Sequence, residues 1–189
     1  MLATMRDDLQ REGQARLLLD KAQETHDLSK AETFVKQAVE LLPSVKLGEY
    51  LQLGIRHAEI VIDGLPLEIS TEYGQTIRVY TKGLLASHVT SALAYLEEPI
   101  LLAGLPDAEG LLYLACIYGY QKQYNEMLTT IDKALSVDAR IQEEFRKPRK
   151  LEILLLACGS DRSKIEQVSQ KLGIPPCSAT LGLDKQLSE

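Results

Sequence analysis

AEGLLYLACIYGYQKQYNEMLTTIDKALSVDARI, residues 108–141, is the stretch whose pattern decides the fold. Leu111, Leu114, Ala115 and Tyr118 recur at i, i+3, i+4 and i+7, which puts them on one face of a helix. Gln121, Lys122 and Gln123 read as a polar turn. Met127, Leu128, Ile131, Ala134 and Leu135 then repeat the helical spacing. Two short amphipathic helices joined by a tight turn cannot cover their own apolar faces. They need neighbours of the same kind on both sides, which is the physical logic of a helical repeat.

The rest of the chain supplies such neighbours. Upstream, residues 3–25 carry an apolar stripe of Leu9, Leu17, Leu18, Leu19 and Ala22, with most charges off it. Ser29 with Glu32 matches the capping box that opens a second helix, which bears Ala31, Val35, Ala38, Val39 and Leu42 and is stopped by Pro43. Residues 46–62 give a third helix through Leu47, Tyr50, Leu51, Ile55, Ala58 and Ile62, broken by Gly64-Leu65-Pro66. In residues 67–83, Ile77 and Val79 alternate with polar residues, which reads as a strand that could form a hairpin with 59–63. A hairpin among helices has no sheet to join, so the expectation is a helix from about Thr71 to His88. Residues 86–104 continue as helix, kinked or ended at Pro99, and Asp107 is placed to cap the next one. Downstream, Pro148 separates a short helix from one spanning 149–158, and a last helix runs 161–172. Gly173 closes that helix as a left-handed cap.

Ala31, Ala38 and Pro43 stand at the spacing of two small residues and a proline in the second half of a tetratricopeptide repeat (TPR). Leu111, Leu114, Ala115 and Tyr118 match the large, leucine, small and aromatic positions of its first half, and Ala134 matches too. The segments 12–44 and 108–141 therefore resemble this family, whose period is ~34 residues. Met127, Ala139 and Leu19 depart from its pattern. The resemblance implies an all-α fold, a short right-handed solenoid of antiparallel helix pairs over residues 1–160. A capping helix and tail follow over 161–189. It also implies a groove lined by the first helix of each pair, here Glu109, Leu112, Cys116, Gly119 and Tyr120 in one repeat. In the other repeat the lining is Gly13, Arg16, Asp20, Gln23 and Glu24. The lysines and asparagines that clamp a partner's terminal carboxylate in chaperone-binding members are absent from those places.

Composition narrows the function. The net charge of −6 repels phosphate on average, and 5% aromatic content without tryptophan offers no broad stacking platform for bases. No window reaches the ~18 apolar residues of a membrane span, and no long apolar run follows the first basic residue as in a signal peptide. Cys116, Cys158 and Cys177 are scattered and odd in number, which suits small core residues in a reducing, cytoplasmic setting. His26, His57 and His88 lie far apart with no ligand spacing, and His57 reads as a partly exposed helical residue. No phosphate-binding, dinucleotide or nucleophile-elbow motif occurs. An enzyme would need a pocket joining residues such as His57, His88 and Tyr80. The expectation is therefore a non-enzymatic scaffold without cofactor or metal, binding a protein or peptide partner or a second copy of itself.

One concentrated basic cluster, Arg146, Lys147, Arg149 and Lys150, is the alternative: an anion or nucleic-acid patch in a transcription-linked regulator. Glu143, Glu144 and Glu152 stand close enough in sequence to neutralise it. IEQVSQKLGIPPCSATL, residues 165–181, loosely resembles a helix-turn-helix, but Pro175-Pro176 and the following residues lack the side chains that read base edges. A helix end before a tail explains the same letters.

The close approach of paired helices gives a first prediction. Ala115→Leu should destabilise the fold by ~1–3 kcal/mol through overpacking. Urea denaturation would show it as a lowered midpoint; an unchanged midpoint would remove the proposed contact.

Overall fold

A computed structural model describes residues 2–64, 68–70, 76–78 and 82–175. Nine α-helices occur among them, arranged largely as packed antiparallel pairs. The first pair is α1 (Leu2–Glu24) and α2 (Leu28–Leu41). After a 3-10 turn at Pro43–Val45 comes the second, α3 (Lys46–Asp63) with α4 (Lys82–Glu97). The third is α5 (Ala108–Tyr120) with α6 (Tyr124–Val137), followed by α7 (Ile141–Phe145), α8 (Pro148–Cys158) and α9 (Arg162–Lys171). Each pair leans on the next: α2 on α3, α3 and α4 on α5, and α8 packs against α5 in turn. The fold is all-α in its architecture, as expected, with one small insertion.

That insertion corrects the expected helix over 71–88. Glu68–Ser70 and Thr76–Arg78 form a two-stranded antiparallel ribbon in which Ile69 pairs with Ile77, and α4 starts only at Lys82. β-branched residues in alternation with polar ones prevail locally here, and two strands suffice to pair each other's backbone. Residues 59–63, the other strand candidate, are the last turn of α3. Residues 71–75 lie outside the described residues.

The helix ends follow local chemistry. Asp27, not Ser29, caps α2: its carboxylate accepts from the amides of Ser29 at 3.1 Å and Lys30 at 3.3 Å. The expected capping box is not formed, because Glu32 reaches across to α3 instead. Asp107 caps α5, accepting from Gly110 N at 2.6 Å, and Asp161 caps α9. Pro99 removes one backbone donor at the end of α4, and the chain widens into a π-helical turn over Glu98–Leu102. Gly173, at φ 60°, ends α9. Its amide bonds Gln170 O, and that of Ile174 bonds Ser169 O at 2.8 Å, the paired pattern of a left-handed helix stop.

Every residue of α5 from Gly110 to Gly119 is buried. It sits at the centre of a core running from α3 to α9 that includes Leu51, Leu96, Leu112, Ile117, Ile131, Phe145, Ile153 and Val168. A smaller apolar cluster ties the first pair to the second through Ala22, Leu28, Ala31, Val35, Leu53 and Tyr95. Gly54 makes the close α3–α4 approach possible: a Cβ there would stand 2.6 Å from Leu96 Cγ.

The α5–α6 turn repeats the α9 stop with a residue less suited to it. Gln123 N bonds Tyr118 O and Lys122 N bonds Gly119 O, which forces Lys122 to φ 61°. A side chain in that region costs roughly 1–2 kcal/mol, and glycine returns part of the relief as unfolded-state freedom. Lys122→Gly should therefore stabilise the fold by ~0.5–1 kcal/mol. Thermal melting tests this, and a lowered Tm would contradict the turn geometry.

Candidate functional site

The residues expected to line a groove separate into two sets. In α5, Leu112 is 1% and Cys116 0% exposed, and Gly119 is buried. They are core, because α5 is wrapped by α3, α4, α6 and α8 and presents no open first-helix face. Only Glu109 is exposed there, and Tyr120 is half-buried. The α1 residues lie at the surface instead. Gly13, Arg16, Asp20, Gln23 and Glu24 are all exposed, with Arg16 held by Glu12 at 2.5 Å. Leu9 and Leu17 are exposed on the same helix, at 68% and 55%.

Gln23 lies on the wall of a cleft of ≈ 360 Å³ formed by the end of α1, the side of α2 and the first half of α3. Ala22, Val35 and Leu53 supply its apolar surface. Gln23, Thr25, His26, Glu49, Gln52 and Arg56 supply polar groups. Arg56 shapes the cleft rather than standing free in it. Its guanidinium donates to Ala22 O at 2.9 Å and Thr25 O at 2.6 Å, satisfying the last carbonyls of α1 and pinning that helix end to α3. Glu49 differs. It is half-buried, burial pushes its carboxyl above the ordinary carboxylate range, and no ion pair or hydrogen bond holds its side chain among the described residues.

Beside the cleft the fold assembles a group that no sequence motif announces. His57 is buried, at 4% exposure, which overturns the expectation of a partly exposed helical residue. Its Nε2 lies 2.9 Å from Glu32 Oε1 of α2, and its Nδ1 lies 2.8 Å from His88 Nδ1 of α4. The Tyr95 ring stacks over His57 at 6.0 Å. Lys36 Nζ stands 3.6 Å from the other oxygen of Glu32. Burial, the strongest influence, holds the His57 pKa below its usual value against the upward pull of Glu32. Glu32, His57 and His88 come from three helices 25 and 31 residues apart, so periodicity could place each on a buried face but could not join them. Tyr80 lies outside the described residues.

The basic cluster is largely engaged within the chain. Arg146 donates from Nε to Leu172 O at 2.6 Å and from Nη2 to Gly173 O at 3.2 Å, and pairs with Glu143 at 2.7 Å. It thereby covers the carbonyl end of α9. Lys147 and Lys150 converge on Glu144 at 2.7 and 3.4 Å and hold its carboxyl below the ordinary range. Lys150 also lies over the Tyr113 ring at 5.1 Å. Arg149 is half-buried in the first turn of α8.

Cys116 and Cys158 are free and buried. Burial pushes their thiols up to about 12 and about 11, so both stay protonated and unreactive near neutrality. Cys177 lies outside the described residues. Among the described residues no group of three or more potential metal ligands converges, and no helix is long and apolar enough to cross a membrane. No protein-family model, curated protein or solved structure matches this chain.

The roles of the basic residues separate experimentally. Arg146→Ala should cost ~1.5–3 kcal/mol, the range for hydrogen bonds from a charged donor. Lys147→Ala, on an exposed pair, should stay within ~0.5 kcal/mol. Equal effects in urea denaturation would mean that Arg146 does not hold α9.

Proposed function

We propose that this chain is a non-enzymatic, TPR-like interaction module that takes a segment of a partner protein into the cleft between α1, α2 and α3. The observation that carries this reading is the cleft itself. Gln23, one of the residues expected to line a groove, lies on its wall, and its lining mixes an apolar base with amides and a carboxylate. Such a lining suits a short amphipathic segment, with backbone groups on Gln23 and Gln52 and a small apolar side chain at the mouth of the base formed by the buried Ala22, Val35 and Leu53.

Glu49 sets the charge class. A half-buried carboxylate without a counter-ion gains most from a cation brought into the cleft. The preferred segment therefore carries lysine or arginine, which the chain's overall negative charge also draws in. α1 lies at one end of the stack with Leu9 and Leu17 exposed. A second copy of the chain could dock there without occupying the cleft.

A displayed library of random peptides panned on the purified chain tests the reading. Enriched sequences should carry a basic residue beside apolar ones. Glu49→Gln should weaken the best of them by about tenfold, the effect of losing ~1.4 kcal/mol. No enrichment, or binding indifferent to both Glu49→Gln and Gln52→Ala, would overturn it.

A further inference from the structure

The Glu32–His57–His88 row lies outside the cleft wall and stands independently of the partner-binding reading. Its behaviour follows from counting hydrogens. A carboxylate only accepts, so His57 Nε2, 2.9 Å from Glu32 Oε1, carries a hydrogen. The 2.8 Å separating the two Nδ1 atoms has room for one hydrogen between them, since two N–H groups cannot point at each other across a hydrogen-bond distance. In the neutral pair that hydrogen belongs to His88 Nδ1, which donates to His57 Nδ1, and His88 Nε2 keeps its lone pair. A first added proton enters at His88 Nε2 and disturbs neither contact. A second proton on the rings finds no site except the shared position, where it breaks the bond between them; the Glu32 carboxylate is the other acceptor in the row, and a proton there leaves that bond intact.

We propose that this row is a proton-counted latch between α3 and α4, whose rings tolerate one added proton and release His88 on the second ring proton. The packing gives the release a direction. His88 is half-exposed and can turn to water, whereas His57 at 4% exposure cannot. Once His88 leaves, the buried His57 Nδ1–H has lost its acceptor, and the N-terminal turns of α4 loosen from α3.

Among the described residues, the charged and titratable groups around the rings are few. Glu32 and Lys36 face them from α2, Arg56 adjoins from α3, and Tyr95 covers His57 from α4. Glu32 favours positive charge on His57, while Arg56 and His88 oppose it. The sign is fixed by the lowered His57 pKa. The unfolded chain takes up protons more readily below its value of about 6.5, so the site's stabilisation is full above that pH and is lost as pH falls.

Imidazole nitrogen shifts of the full ¹⁵N-labelled chain, followed from about pH 8 to about pH 4, test the latch. His57 and His88 should titrate as a coupled pair, in two steps separated by more than about one pH unit. Amide exchange over 82–90, corrected for its intrinsic pH dependence and compared with α5, should rise by about tenfold or more only after the second step. In His88→Asn, an amide replaces the donor to His57 Nδ1, so the second step and the rise in exchange should both vanish. Independent single-step titration of the two rings, or exchange over 82–90 with no step, would overturn the latch. The native titration decides this even if the variant fails to fold.

Discussion

α5 has no face toward water between Gly110 and Gly119, and the positions of the helices around it answer that constraint. Leu111, Leu112, Leu114 and Ile117 each gain ~1.5–3 kcal/mol when fully withdrawn from solvent, which no single partner helix could provide on every side. α6 covers one side by immediate return of the chain. α3 and α4 cover another, and α8 closes the third. The polar atoms dragged into this region are also answered. Tyr113 donates to Glu59 at 3.0 Å and Tyr118 to Glu97 at 2.9 Å, so aromatic rings enter the core with their hydroxyls turned to carboxylates on α3 and α4.

This arrangement also decides which helices keep an open face. In an evenly repeating solenoid each first helix offers the same face to a common groove, but here the third pair is too deeply enclosed to offer one. The open surface retreats to the first pair, where α1 is held by α2 on one side and by the Arg56 guanidinium at its end. The cleft exists because α1 and α3 converge there without closing on each other. The helical pattern of the sequence is thus informative about the helices more than about which surface they leave open.

The sequence was most legible where one local force governs. Helical periodicity marks α1, α3, α5 and α6 to within a few residues, and Asp107, Pro43 and Gly173 stand at the helix boundaries their chemistry calls for. The capping box misled because Ser29 and Glu32 satisfied a local pattern while Glu32 had a better partner in His57, on another helix. Residues 68–78 misled because a preference against lone strands outweighed their β-branched alternation. Leu112 and Cys116 could be assigned to the opposite face from Leu111 and Ala115, yet whether that face meets water depends on α3 and α8, which helical period does not reveal. The histidine row is a purely tertiary product: each member sits on an ordinary amphipathic helix, and only packing makes them neighbours.

The apolar interior is divided unequally, with a small cluster between the first two pairs and a large one from α3 onward. Leu53 and Tyr95 belong to the small cluster although α3 and α4, which carry them, are anchored in the large one. The leading hairpin is thus a subglobal unit, joined to the main body by modest apolar contact plus a few directional bonds from Arg56 and His57. In such a molecule the leading hairpin can open as a body at a fraction of the global unfolding free energy while everything built on α5 stays native. Breathing of this kind would widen the cleft without the rest of the protein having to yield.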